Sequence, residues 1–305
     1  MAGSGVLVVD KPQGPTSHDV VRTLRKALGT RAVGHCGTLD PMATGVLVVA
    51  IEEGTKLVPW LTAGHKAYEA TLALCVETDT FDAEGRVVRR DEPDPTLLAA
   101  LAASSPSVPG DALALAFAAE RARTSQVPPA FSAVRKDGVR AMDRARRGEA
   151  VDLEARDVRL LRIDLLGCRV DPPSMDIAIE ATKGYYVRAL ARDLAAALGT
   201  CGHVTALRRT RSGTFGLAEA VSLDAPPAEL ASRIVPLPLA AARALPVAHL
   251  TEAGEREARH GRPVPPAEMD VQYEGDAAWL SPDGQLVAIG RIDAGQGRVV
   301  RGMAR

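Results

Sequence analysis

A chain of 305 residues has room for one large domain and a small one, and 46% hydrophobic with 25% charged residues excludes a disordered or fibrous chain. A net charge of −1 excludes nucleic-acid binding through an overall basic surface, so any such binding has to come from local patches. No apolar run approaches the ~20 residues of a membrane span, and the opening "MAGSGVLVVDKP" lacks the basic and apolar regions of a signal peptide.

The four cysteines, Cys36, Cys75, Cys168 and Cys201, make no C-x-x-C pair and no His spacing accompanies them. A reduced, cytoplasmic chain without a metal site is the expectation.

"GVLVV" (5–9) predicts a short strand, and "DKPQGPTS" (10–17) a turn whose Thr16 or Ser17 caps a helix. In that helix Val20, Val21, Leu24, Ala27 and Leu28 recur at helical spacing, and Gly29 ends it. A short strand near 31–34, a loop, and a strand at "VLVVAI" (46–51) follow. "KAYEATLALCV" (66–76) alternates, placing Tyr68, Ala70, Leu72, Leu74 and Val76 on one face, and "DAEG" (82–85) predicts a hairpin turn.

Residues 91–123 predict helices joined by loops. The prolines of "QVPPAFSAVRKDG" (126–138) exclude a regular helix or central strand, and a short Arg-rich helix follows at 140–147. Strands are expected near 155–170 and 175–183, then an amphipathic helix over 186–199. The Pro- and Ala-rich stretch 224–244 is expected as a linker, and the last part of the chain as a small all-β module. Without a regular βαβα repeat, the fold class is α+β.

One loop carries the chemical question. Residues 34–47 read "GHCGTLDPMATGVL", with a single acid, Asp40, and a single histidine, His35. The glycines could cradle a phosphate, but neither G-x-x-x-x-G-K-[ST] nor G-x-G-x-x-G is present. Asp40 could close an Asx-turn before Pro41. It could also be a nucleophile, provided a partner keeps it ionised. A guanidinium would do so, and Arg188 in "KGYYVR" (183–188) is the candidate.

"VDKPQGPTSHDVV", "GHCGTLDPMATGVL", "KAYEATL", "TDTFDAEG", "QVPPAFSA", "KGYYVRALARDL" and "GHVTALRRTRSG" occur in this order across residues 5–216. Together they resemble the TruB family, the bacterial tRNA pseudouridine-55 synthases. The resemblance implies a catalytic domain over 1–223, on a mixed, mainly antiparallel sheet with flanking helices. An RNA-gripping insertion would span about 91–148. Residues 245–305 are similar in size and placement to the family's PUA domain, an RNA-binding β-barrel.

The implied reaction is isomerisation of a T-loop uridine of tRNA to pseudouridine, without metal, nucleotide or redox cofactor. The target base must first be flipped out of its stack. Asp40 matches the family nucleophile, Arg188 the arginine that pairs with it, and Tyr68 the tyrosine that stacks on the base. A tyrosine phenol ordinarily titrates near ~10, so stacking asks less of this residue type than base catalysis. Tyr186 and Leu207 match pocket residues, with Tyr185 where the family commonly has a small residue. His35 matches a histidine that fills space or contacts RNA, Lys183 faces a phosphate or water, and Lys11 with Pro12 matches a supporting motif.

Six Arg or Lys in 135–148 and three Arg in "LRRTR" (207–211) would supply the local positive patches. Met142, Arg135, Cys75 and Ala122 depart from the family's usual Tyr, Lys, Gly and Gly, outside the Asp40–Tyr68–Arg188 set. The partner implied is tRNA alone, bound by a monomer with no obligate protein partner and no membrane. Two alternatives use the same scaffold: a guide-RNA-dependent synthase and a non-catalytic RNA-folding protein. The "QVPPAFSA" segment and the lack of lysine-rich tails speak against the first, and the intact triad against the second.

Overall fold

The computed structural model describes residues 3–136, 138–270 and 274–304. Asp137, inside the basic stretch 135–148, lies outside the described residues. The chain opens with β1 (Gly5–Lys11), α1 (Ser17–Leu28), β2 (Val33–His35), β3 (Thr44–Ile51) and α2 (Val58–Ala63). It continues with β4 (Lys66–Leu74), β5 (Val76–Thr78), β6 (Val87–Arg90), α3 (Pro95–Ala102), α4 (Asp111–Ala122), β7 (Ser125–Gln126), β8 (Arg135–Lys136), β9 (Val139–Arg140) and α5 (Ala141–Arg146). Then come β10 (Arg156–Asp157), β11 (Leu160–Val170), β12 (Pro173–Ala181), α6 (Val187–Ala197) and β13 (Gly202–Ser212). It closes with β14 (Phe215–Gly216), β15 (Val221–Ser222), α7 (Pro227–Ser232), β16 (Val235–Pro236), α8 (Leu237–Ala244), β17 (Val247–His249), α9 (Glu252–Arg259), β18 (Gly275–Leu280), β19 (Leu286–Asp293) and β20 (Gln296–Gly302).

Two compact units result: residues 1–41, 45–64 and 212–305 form one, residues 42–44 and 65–211 the other. In the first, β1 pairs antiparallel with β3 from Gly5↔Ile51 to Lys11↔Gly45. It also pairs with β15 in parallel and with β16 antiparallel. The unbroken β-branched runs fit this place, because a strand covered on both faces needs no polar alternation. Val6, Leu7, Val9, Val46, Leu47 and Val49 are all fully buried. Thr16 is the N-cap of α1, in a capping box with Asp19, and Gly29 ends the helix at φ 66°.

Residues 224–244, expected as a linker, carry α7 and α8. Proline is tolerated in a helix's first turn, where its missing N–H has no partner to lose, and each helix has one there: Pro227 opens α7 and Pro238 is the second residue of α8. Ala240 and Ala241 of α8 are fully buried in a cluster with Val6, Val8, Leu57, Ala278, Ile289 and Met303. The four-stranded sheet β17–β18–β19–β20 makes the expected β module. Its helix α9 was not expected, because "EAGEREAR" buries only two small residues, Gly254 and Ala258; Thr251 caps it.

In the second unit the sheet runs β11–β12–β4–β13. The β12–β4 register sets Ile179 opposite Tyr68. Cys75 adopts φ 67°, which ends β4 and separates Val76 from the Tyr68–Leu74 face on which it was expected. β13 was not anticipated: its arginines mask the strand pattern, although Arg209 is buried. No helix among the described residues is long and apolar enough to cross a membrane.

Candidate active site

Asp40 lies in the loop between β2 and β3, and neighbouring side chains fix that loop on both sides of it. The hydroxyl of buried Ser17 accepts from the Leu39 N–H at 2.8 Å and donates to the Leu39 carbonyl at 3.1 Å. On the other side the Gly14 N–H donates to the Pro41 carbonyl at 2.9 Å. Lys11 is fully buried, yet its ammonium donates to the carbonyls of Pro12 (2.9 Å), Pro15 (2.8 Å) and Pro41 (3.2 Å). Three acceptors for three N–H donors offset the desolvation of that charge. Leu39, Met42 and Ala43 are buried, whereas Asp40 keeps partial exposure. The backbone on either side of Asp40 is therefore held in place.

His35 is the last residue of β2, opposite Val49 of β3. Its ring meets that of His18 edge-on, with centroids 5.6 Å apart and an interplanar angle of 72°. Asp40, His35, Lys11 and Pro12 thus belong to one unit, and Lys11 is bonded to the carbonyl next to Asp40.

Tyr68, Lys183, Tyr186, Arg188 and Leu207 belong to the other unit. Arg188 stands in the first turn of α6, with 6% of its side chain exposed. Its Nη1 donates to the Thr80 carbonyl and its Nη2 to the Phe131 carbonyl, each at 3.0 Å. Nη1 also lies 3.4 Å from Oδ2 of Asp82, itself 6% exposed. Asp82 is fixed in turn: its Oδ1 accepts from Thr80 Oγ1 at 2.6 Å and from the Glu84 N–H at 3.1 Å. Two backbone carbonyls and one carboxylate are among the groups that aim the guanidinium, a geometry a lysine could not reproduce.

Tyr186 is held by a reciprocal pair of bonds to buried Gln126. The Tyr186 N–H donates to Gln126 Oε1 at 2.9 Å, and Gln126 Nε2 donates back to the Tyr186 carbonyl at 3.2 Å. The Tyr186 ring packs against a small cluster of Val134, Ala141 and Leu153. Tyr185 has a different environment: burial, then the charges of Glu120 and Asp193, push its phenol up and keep it protonated. Tyr68 is half-buried on β4, Leu207 is buried on β13, and Lys183 is exposed in the turn before α6. Next to Leu207, Arg208 Nη1 donates to Thr44 Oγ1 at 3.3 Å.

Sequence reasoning left Asp82, Gln126 and His18 without roles and gave Ser17 only that of a possible helix cap, although the motifs "TDTFDAEG", "QVPPAFSA" and "TSHDVV" contain them. Their partners are distant in sequence, so spacing alone could not reveal them. The first unit offers a partly exposed aspartate in a fixed loop; the second offers a fixed guanidinium, a half-buried aromatic ring and the buried Leu207. A carboxylate of the first kind can attack an electrophilic carbon, and a ring with an apolar wall can hold a planar base.

The model "TruB family pseudouridylate synthase (N terminal domain)" matches residues 25–187, and "tRNA pseudouridylate synthase B C-terminal domain" matches 188–229. The chain is 46% identical over 289 residues to tRNA pseudouridine synthase B of Mycobacterium sp. (strain KMS), covering 94% of this chain and 92% of that one. It is 41% identical over 302 residues to tRNA pseudouridine synthase B of Thermobifida fusca (strain YX), covering 97% of each. A chain of a Cbf5–Nop10–Gar1 complex shares the fold, with a TM-score of 0.72 and 24% identity over 98% of this chain and 84% of that one. A family model spanning more than half of the chain, with such identity over nearly all of it, makes this protein a member of the TruB family of pseudouridylate synthases.

Proposed function

We propose that the chain is a tRNA pseudouridine synthase acting on a uridine of the T-loop, with Asp40 as its nucleophile. The observation that carries the reading is the Asp40 loop, held through Leu39 and Pro41, in a chain 41% and 46% identical to relatives named tRNA pseudouridine synthase B.

In the reaction the C1′–N1 bond breaks, the uracil turns, and a C1′–C5 bond forms. The C5 proton leaves and N1 gains one, so no electrons are exchanged. Arg188 is the arginine that partners the nucleophile, Tyr68 stacks on the flipped base, and Tyr186 with Leu207 forms the pocket wall. His35 contacts the RNA beside the vacated base position, Lys183 meets a phosphate, and Lys11 with Pro12 supports the Asp40 loop. Extruding the base costs a few kcal/mol, which aromatic stacking and phosphate contacts offset.

The catalytic domain occupies 1–223, its insertion near 91–148 grips the RNA, 224–244 links, and 245–305 is a PUA-like RNA-binding module. The enzyme works as a monomer on tRNA in the cytoplasm, with no obligate protein partner. Incubating the purified chain with an unmodified tRNA transcript and mapping pseudouridine along it tests this reading. Product at a single T-loop uridine is expected; tRNA bound but unmodified, or modified only when a guide RNA is added, would overturn it.

A further inference from the structure

The first turn of α1 contacts the Asp40 loop at two points. Ser17 makes two hydrogen bonds to Leu39, beside Asp40, and the next residue, His18, sets its ring edge-on against His35, where the loop begins. Between these points Gly37 adopts φ 115°, a conformation that L side chains rarely take. The helix end that makes the contacts is itself fixed. Asp19 Oδ2 accepts from the Thr16 N–H at 3.0 Å, Thr16 Oγ1 accepts from the Asp19 N–H at 3.1 Å, and Arg22 Nη2 reaches Asp19 Oδ1 at 2.8 Å.

Ser17 is buried, so its bonds belong to the fold; His18 is exposed. Removing an exposed ring costs a fold little. Removing one member of an edge-on ring pair takes away one of the contacts that set the other ring's rotamer. What His18 constrains is thus the ring of His35.

We propose that His18 is a positioning residue for the reaction, holding the His35 ring in the orientation that the RNA meets. The proposal rests on the reading of His35 as an RNA contact given above. Misplacing a contact group by a fraction of its reach lowers the rate without altering the chemistry. Phenylalanine at position 18 can still offer a ring edge, whereas alanine cannot.

The test uses the full chain and a tRNA transcript tritiated at C5 of its uridines. Tritium release is followed across tRNA concentrations for wild type, His18→Ala, His18→Phe, His35→Ala and the double alanine variant. His18→Ala is expected to lower kcat/KM by about three- to tenfold, the scale of an aromatic pair, with an unchanged melting temperature. His18→Phe should recover most of the loss, and His18→Ala should add nothing in the His35→Ala background. Full activity in His18→Ala while His35→Ala is impaired overturns this proposal alone. Losses that multiply in the double variant, or no recovery in His18→Phe, overturn it too. Full activity in His35→Ala removes the reading of His35 as an RNA contact, and this proposal with it.

Discussion

Asp82 and Arg188 face one another at 3.4 Å with almost no exposure. A buried guanidinium needs compensating charge, and Asp82 supplies one beside the dipoles of the Thr80 and Phe131 carbonyls. Asp82→Asn keeps the side chain's shape and the Thr80 bond while removing that charge. The expected outcome is a fall in kcat of about 10²-fold with KM little changed, because the guanidinium is misplaced rather than lost. Steady-state kinetics beside a thermal melt checks it; a normal kcat would show that Asp82 does not aim Arg188. The sequence exposed Asp40 through the sparse chemistry of its loop. It left Asp82 silent, because one acid among the three of "TDTFDAEG" gains meaning only from a guanidinium far along the chain.

At the scale of elements, the central strands β1 and β3 are plain in the sequence through their unbroken apolar runs, and the helices α1 and α6 through an apolar spacing that answers to a single buried surface. β13 is hidden because arginines occupy it, and α9 because its buried face consists of two small residues that carry little apolar signal. The Pro- and Ala-rich stretch illustrates a third case: the composition of a linker also suits helix starts and close packing, and tertiary contacts decide between them. α8 is tied down by Arg243, which bonds Glu219 at 2.6 and 2.7 Å and lies 4.0 Å over the Phe215 ring.

The hydrogen bond from Arg243 holds the Glu219 carboxyl below its ordinary value of 4.5. A depressed folded pKa means that the charged form is favoured by folding. The contribution is present above the unfolded value and disappears as pH falls through the folded one. Glu219→Gln should therefore lose about 1 kcal/mol near neutral pH, discounted for partial exposure. Urea titrations of wild type and variant should converge in acid below the ordinary carboxylate range. A gap that persists there would assign the loss to packing instead.

At the scale of the whole molecule, the carboxyl-terminal strands and the first strands share a core. Ala278, Leu286, Ile289 and Met303 lie in one cluster with Val6, Val8, Val46 and Leu57. Trp60 Nε1 donates to Asp276 at 2.9 Å, and Lys56 Nζ to the Gly302 carbonyl at 3.1 Å. Removing residues 245–305 would expose that apolar surface to water. The expected outcome is a truncated chain with a markedly lower melting temperature or outright aggregation, and a single transition for this unit in the full chain, seen by calorimetry. A truncated chain that melts as the parent does would show that the shared cluster contributes no stability.

The central claim is that Asp40 performs the isomerisation. Its most direct test is tritium release from a C5-tritiated tRNA transcript by wild type and Asp40→Asn, with tRNA binding measured alongside. The account predicts release from one T-loop uridine by wild type, and none by Asp40→Asn despite undiminished binding. Release by Asp40→Asn at a rate near that of wild type would contradict it.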